Sequence, residues 1–166
     1  GGFVAWSLAM YRPELVSQLI VLNLPHPRGL MRELANNPDQ QANSQYARNF
    51  QEPNAHEALT AEGLTFWVTD DRARGRYIEA FERSDFEGML NFYKANWPTS
   101  PVTLETEAFG FKLGEFPPVT APTLFIYGKD SGPFQNSTLN DMWEWVDGDL
   151  TIHVLPGVGH NPHTQA

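Results

Sequence analysis

Three short apolar runs interrupt an otherwise polar or mixed chain: residues 18–25 (QLIVLNLP), 123–128 (TLFIYG) and 150–157 (LTIHVLPG). The first two are close to continuous apolar stretches, the pattern of strands buried on both faces of a parallel sheet. Each run ends in Gly or Pro, at the end where open α/β sheets carry their functional loops. Residues 3–11, ahead of the first run, read as a helix closed by Pro13. Residues 137–146 (STLNDMWEWV) read as an amphipathic helix with Ser137 or Asn136 as its cap. The predicted order is α-β, then β-α-β.

The stretch 26–118 has a different texture. Helical patterns (HEALTAEGL and GRYIEAFERSDFEGMLNFYKANW) alternate with polar loops rich in Asn, Gln and Pro, and GEFPPVTAP (114–122) leads back to strand-like sequence. A helical insertion between consecutive strands reads as a lid over strand ends. The chain therefore divides into 1–25, a helix and strand of the core; 26–118, the helical lid; and 119–166, the returning core. Three strands with so few helices form an incomplete parallel sheet, since such sheets are covered on both faces and usually carry more strands. The expected class is α/β: C-terminal strands and helices of a mainly parallel sheet, belonging to a larger protein. The opening GGFVAWSLAM, with neither an initiator Met nor a basic signal-peptide start, fits a chain met in mid-fold.

Composition narrows the partners. In 166 residues, 41% are hydrophobic, enough for a packed core, and the formal net charge is -9. That charge argues against nucleic acid, whose binding needs a basic stripe, and against anionic membranes. No apolar run approaches the roughly 20 residues of a transmembrane helix. Cysteine is absent, which removes disulfides, thiolate metal sites and a Cys nucleophile, and leans the expected location to the cytoplasm.

Two candidate chemical groups fall at strand ends. Asp130 follows Gly128 after the second run, and His160 lies in the Gly-rich turn PGVGH after the third. A histidine oriented by a carboxylate is the base half of a nucleophilic triad, and acid before histidine is the order of that half in α/β-hydrolases. The plainer reading makes Asp130 a turn residue and His160 a surface residue. A metal site at His160 and His163 lacks a further carboxylate or thiolate, and Pro162 opposes a settled helix there. His153 lies inside a strand, His26 follows a Pro at a strand end, and His56 begins or caps a lid helix; none has an evident partner in the sequence.

The segment GGFVAWSLAMYRPELVSQLIVLNLPHP resembles the one that follows the nucleophile elbow in epoxide hydrolases of the α/β-hydrolase fold. Two further stretches resemble lid signatures of that family: YARNFQEP (46–53) resembles Tyr-x-x-x-Phe-Gln-x-Pro, and LNFYKANW (90–97) resembles Leu-Asn-Trp-Tyr-x-x-x-Trp, with Phe92 at the first Trp position. The resemblance covers essentially all 166 residues. It implies an Asp nucleophile two residues before Gly1, so that this chain alone is expected to be inactive. It also implies that the hydroxyls of Tyr46 and Tyr93 grip an epoxide oxygen, that His160 activates water, and that Asp130 orients His160. The substrate expected is a small apolar epoxide, with no metal and no organic cofactor.

Physical chemistry supports these roles. Opening an epoxide develops negative charge on oxygen, which aimed donors stabilise, and an ester intermediate divides one difficult step into two. Lid packing alone accounts for Tyr46 and Tyr93 on the bland reading. The acid loop departs from the family's Gly-x-x-Asp, because Asp130 stands only two residues after Gly128; Asp141 is the weaker substitute. After His160, Asn161-Pro162 replace the family's frequent aromatic. Phe66, Trp67 and Trp97 either line an apolar pocket or pack the lid. The alternatives carried are a haloalkane dehalogenase, which shares fold and nucleophile, and a non-catalytic binding domain of the same fold.

Overall fold

The computed structural model describes residues 1–99, 101–103, 105–108, 111–112 and 115–166. Gly114, where the return segment was expected to begin, lies outside these residues. The elements are α1 (Gly2–Tyr11), β1 (Leu19–Leu22), α2 (Pro27–Asn36), α3 (Pro38–Asn43), α4 (Gln45–Asn49), α5 (Asp71–Glu82), α6 (Phe86–Asn96), β2 (Glu107–Ala108), β3 (Phe111–Lys112), β4 (Thr123–Gly128), β5 (Leu150–Leu155) and α7 (Pro162–Gln165). They fall into two compact units, residues 1–44 with 98–166, and Gln45–Trp97. The lid was expected to span 26–118; α2 and α3 instead group with the sheet.

In the first unit the three apolar runs form one parallel sheet in the order β1-β4-β5, with Leu19 beside Thr123 and Thr123 beside Leu150. The central β4 is the most apolar strand, and its Phe125 and Tyr127 are fully buried. Burial on both faces was expected of β1 as well. It is an outer strand in this sheet, and its residues alternate: Leu19 and Val21 are buried, while Ile20 is 59% exposed. α1 packs on β1; its fully buried Trp6 donates its indole N–H to the Leu24 carbonyl at 3.0 Å. A short antiparallel pair, β2–β3, stands apart from the sheet.

The stretch 137–146, expected to be a helix, forms two 3-10 turns, Asn136–Leu139 and Met142–Glu144, with Asp141 between them at φ 64°. Tertiary contacts explain the difference. Arg32 of α2 donates to the carbonyls of Ser137 (2.7 Å) and Asn140 (3.1 Å) and pairs with the Asp141 carboxylate at 2.8 Å. Glu33 accepts from the Ser137 hydroxyl at 2.6 Å. The two carbonyl bonds occupy acceptors that a continuous helix uses internally. Gly29 makes the approach feasible, because a Cβ there would lie 2.1 Å from the Thr138 carbonyl oxygen.

In the second unit, the long helical pattern 75–97 is broken by Asp85, whose carboxylate accepts from Gly88 N–H at 3.0 Å and starts α6 afresh. Asp70 starts α5 in the same way, accepting from Ala73 N–H at 2.7 Å. HEALTAEGL was expected to be helical and contains only the 3-10 turns Ala55–Ala58 and Gly63–Thr65. Among the described residues no helix is long and apolar enough to cross a membrane.

His26 has a role that its sequence position did not reveal: it caps α2. Its Nδ1 accepts from Arg28 N–H at 3.2 Å, and its fully buried ring packs against Trp6, Phe116 and Trp145. Burial, with a smaller contribution from the Arg28 charge, pushes its pKa down to about 3. A histidine depressed in the folded state takes up its proton first in the unfolded state. Stability is therefore full above pH 6.5 and is lost as pH falls toward 3. His26→Asn keeps a cap acceptor but cannot titrate. Its unfolding free energy, measured by urea titration, should fall less than the wild type's between about pH 6.5 and 4, by up to roughly 3 kcal/mol. Identical pH slopes for the two proteins would remove His26 as the source.

Candidate functional site

Parallel strands bring their C-terminal ends to one edge of the sheet, and the polar residues of the first unit converge there. β1 is followed directly by Asn23, a non-glycine residue at φ 63°, whose N–H bonds the Ile126 carbonyl at 2.7 Å. β4 ends at Gly128 and runs into the turn Lys129-Asp130-Ser131, where Lys129 N–H bonds Leu155 and Asp130 N–H bonds Val158, both at 3.0 Å. The turn is thus zipped to the segment that delivers His160. Gly128 allows this closeness: a Cβ there would stand 2.0 Å from the Gly159 carbonyl oxygen and 2.6 Å from that of Val158.

At the centre is the Asn23 side chain, in a residue only 1% exposed. Its Oδ1 accepts the Gly128 N–H at 2.9 Å, while its Nδ2 lies 2.9 Å from Ser131 Oγ and 2.6 Å from His160 Nδ1. Ser131 Oγ is also 3.4 Å from that nitrogen. The Phe134 ring packs 5.4 Å from the imidazole. His160 is exposed as a residue, so with Nδ1 packed against buried Asn23 its exposure lies on the rest of the side chain. Desolvation, then the charge of His163 on α7, hold its pKa below the usual histidine value. A base that stays neutral near pH 7 retains a ring lone pair.

Asp130 does not meet His160. Its residue is exposed, and its carboxylate makes no hydrogen bond or ion pair among the described residues. The side chain that the turn directs inward belongs to Ser131, the third residue after Gly128 and the position that Gly-x-x-Asp assigns to the acid. The loop is one residue short for its carboxylate, so Asp130 falls on the outward side. Asp141 is engaged with Arg32. Among the described residues no cluster of three or more His, Asp or Glu could hold a metal, and His153 is an exposed residue of β5.

The second unit brings together the other two expected residues. Tyr46 on α4 and Tyr93 on α6 are half-buried, their rings edge to face with centroids 6.2 Å apart and Phe50 in contact with both. The two phenols are close enough for each to influence the ionisation of the other. Burial is the largest cause of the raised pKa of each, which keeps both as neutral donors. Gln51 ties the two signatures together, its amide donating to the carbonyls of Tyr93 (3.3 Å) and Trp97 (3.2 Å). Trp97 is buried, Trp67 donates to the Leu64 carbonyl at 2.9 Å, and Phe66 is 80% exposed. His56 lies in a 3-10 turn.

Three residues of these arrangements were not anticipated from sequence. Asn23 carried one signal, being a residue type that tolerates positive φ directly after a strand-like run. Ser131 could have been found by counting three from Gly128. Gln51 stood in the quoted Phe-Gln-x-Pro signature, but its partners are tertiary.

No family model matches the chain. It is 30% identical to Epoxide hydrolase 3 of Mus musculus over 166 residues, covering 96% of this chain and 44% of that protein. It is 25% identical to Epoxide hydrolase 3 of Xenopus tropicalis, covering 96% of this chain and 45% of that one. The chain thus spans a little under half the length of these relatives. An epoxide hydrolase of Bacillus megaterium, solved with an inhibitor, superposes with TM-score 0.84 at 24% identity over 99% of this chain and 61% of its own.

The close approach at Gly128 predicts that Gly128→Ala forces the His160 segment outward. Urea unfolding should show a loss of about 1–3 kcal/mol, and the His160 ring resonances should shift. A folded variant of wild-type stability with unshifted His160 resonances would show that the close approach does not hold the segment.

Proposed function

We propose that this chain, an epoxide hydrolase-like member of the α/β-hydrolase superfamily, supplies the oxygen-binding donors and the water-activating base for hydrolysis of an epoxide to a diol. One observation carries the reading most directly: two phenols, Tyr46 and Tyr93, stand edge to face with centroids 6.2 Å apart, and burial keeps both protonated. The same proposal assigns Gln45–Trp97 to the cap of the enzyme and the sheet unit to its hydrolase core.

In this reading a carboxylate preceding Gly1 attacks an epoxide carbon. A carbon–oxygen ester bond forms while the ring carbon–oxygen bond breaks, and the oxygen takes a proton from the tyrosine pair. An alkoxide is a stronger base than a phenolate, so this transfer runs downhill even from a buried tyrosine. Water then attacks the ester carbonyl carbon and gives a proton to His160. The diol leaves, the carboxylate is restored, and the proton on His160 returns through solvent to the tyrosinate. One water and one epoxide yield one diol. Asp130 remains the expected orienter of His160 on the resemblance alone, and its exposed position speaks for a lesser part.

In the full-length protein, Tyr46→Phe with Tyr93→Phe should lower epoxide hydrolysis by at least about 10²-fold, the scale of a lost oxyanion donor. Circular dichroism would confirm that the variant folds. Unchanged diol formation would end the assignment. Release of halide from a haloalkane, untouched by both substitutions, would place the protein with the dehalogenases.

A further inference from the structure

The polar partners of His160 define which ring nitrogen carries its proton. The Gly128 N–H can only donate, so the Asn23 atom facing it at 2.9 Å is the amide oxygen. The other end of the amide is therefore the NH2 group, with two protons and two acceptors within reach, Ser131 Oγ and His160 Nδ1. Ser131 accepts one of these protons through its Oγ, which also lies 3.4 Å from the same ring nitrogen. The remaining amide proton points at Nδ1, which must accept.

We infer that Asn23 is a positioning residue that holds neutral His160 in the Nε2–H tautomer, and that the side chain at position 23 decides whether this imidazole donates a hydrogen bond or accepts a proton. The inference rests on reading His160 as the base of the hydrolytic step. A base acting through Nε2 needs its lone pair there, and therefore its proton on Nδ1, held by an acceptor. Asn23 offers a donor instead. Ground-state His160 thus presents an N–H, suited to binding an oxygen of the ester or diol, and it becomes a base only when the amide yields. Asn23→Asp replaces the NH2 by an oxygen on the same frame and keeps the Gly128 bond. It also suits the positive φ, which Asp tolerates as Asn does. The charged group acting on His160 from a neighbouring element is His163 of α7, while the strand ends offer it neutral Asn23, Ser131 and Phe134.

The test is the ring nitrogen spectrum of His160 in the full-length protein labelled with 15N-histidine. Wild type should show a protonated Nε2 and an unprotonated Nδ1 at neutral pH. Asn23→Asp should move the proton to Nδ1 and raise the apparent pKa of His160 by about one unit or more. It should also speed single-turnover hydrolysis of the ester at least about tenfold. A wild-type spectrum with Nδ1–H overturns the inference, as does a folded Asn23→Asp protein with an unmoved tautomer. The wild-type spectrum decides even if the variant fails to fold. If the tautomer moves as expected and neither protein opens an epoxide, the role of Asn23 stands and the hydrolase reading falls.

Discussion

The first unit depends on one buried amide. Asn23 joins the ends of β1 and β4 to the His160 segment through hydrogen bonds to Gly128, Ser131 and His160. Each of these groups would otherwise be a polar atom without water, costing about 1–3 kcal/mol. The amide matches them because it carries an acceptor at one end and two donors at the other. An apolar residue would leave the Gly128 N–H without its acceptor and His160 Nδ1 without its amide donor, and most residue types could not hold φ 63° without strain. A network with every member satisfied has one arrangement, and for that reason the imidazole sits on a fixed mount although much of its residue faces solvent.

The second unit reaches rigidity by another route. It has no sheet, and its helices are short, so it relies on Asp caps at the starts of α5 and α6 and on a cluster of aromatic edges. Edge-to-face contacts among Tyr46, Phe50 and Tyr93 set ring planes more firmly than aliphatic packing does. Two phenol oxygens held by such rings arrive with their positions already chosen, and such preorganisation is what electrostatic stabilisation depends on.

What could be read in advance followed the range of the interaction. β4 was legible because a central strand is apolar throughout, and its bounds match the run TLFIYG. α1 was legible from its pattern and the closing Pro13. The tyrosine pair was legible as two motifs, though nothing in either one stated that the two rings meet edge to face. The segment 137–146 was not, because Arg32, more than a hundred residues away, binds backbone carbonyls that a helix would keep for itself. Asp130 was misleading for a geometric reason: near a strand end, one residue more or less reverses the side on which a side chain falls. The directions within the Asn23 network belong to tertiary structure altogether.

The bond from Gln51 to the last turn of α6 has a consequence for how this protein can vary. Its amide reads the backbone carbonyls of Tyr93 and Trp97, not their side chains. The link therefore survives a change of ring at either position, and breaks only if Gln51 changes or the helix end unwinds. Side chains around the tyrosines are free to drift in size while the spacing of the two signatures stays locked. The pair behaves as an interchangeable cassette, with a constant frame and variable walls, and diversity in this unit should collect in the walls.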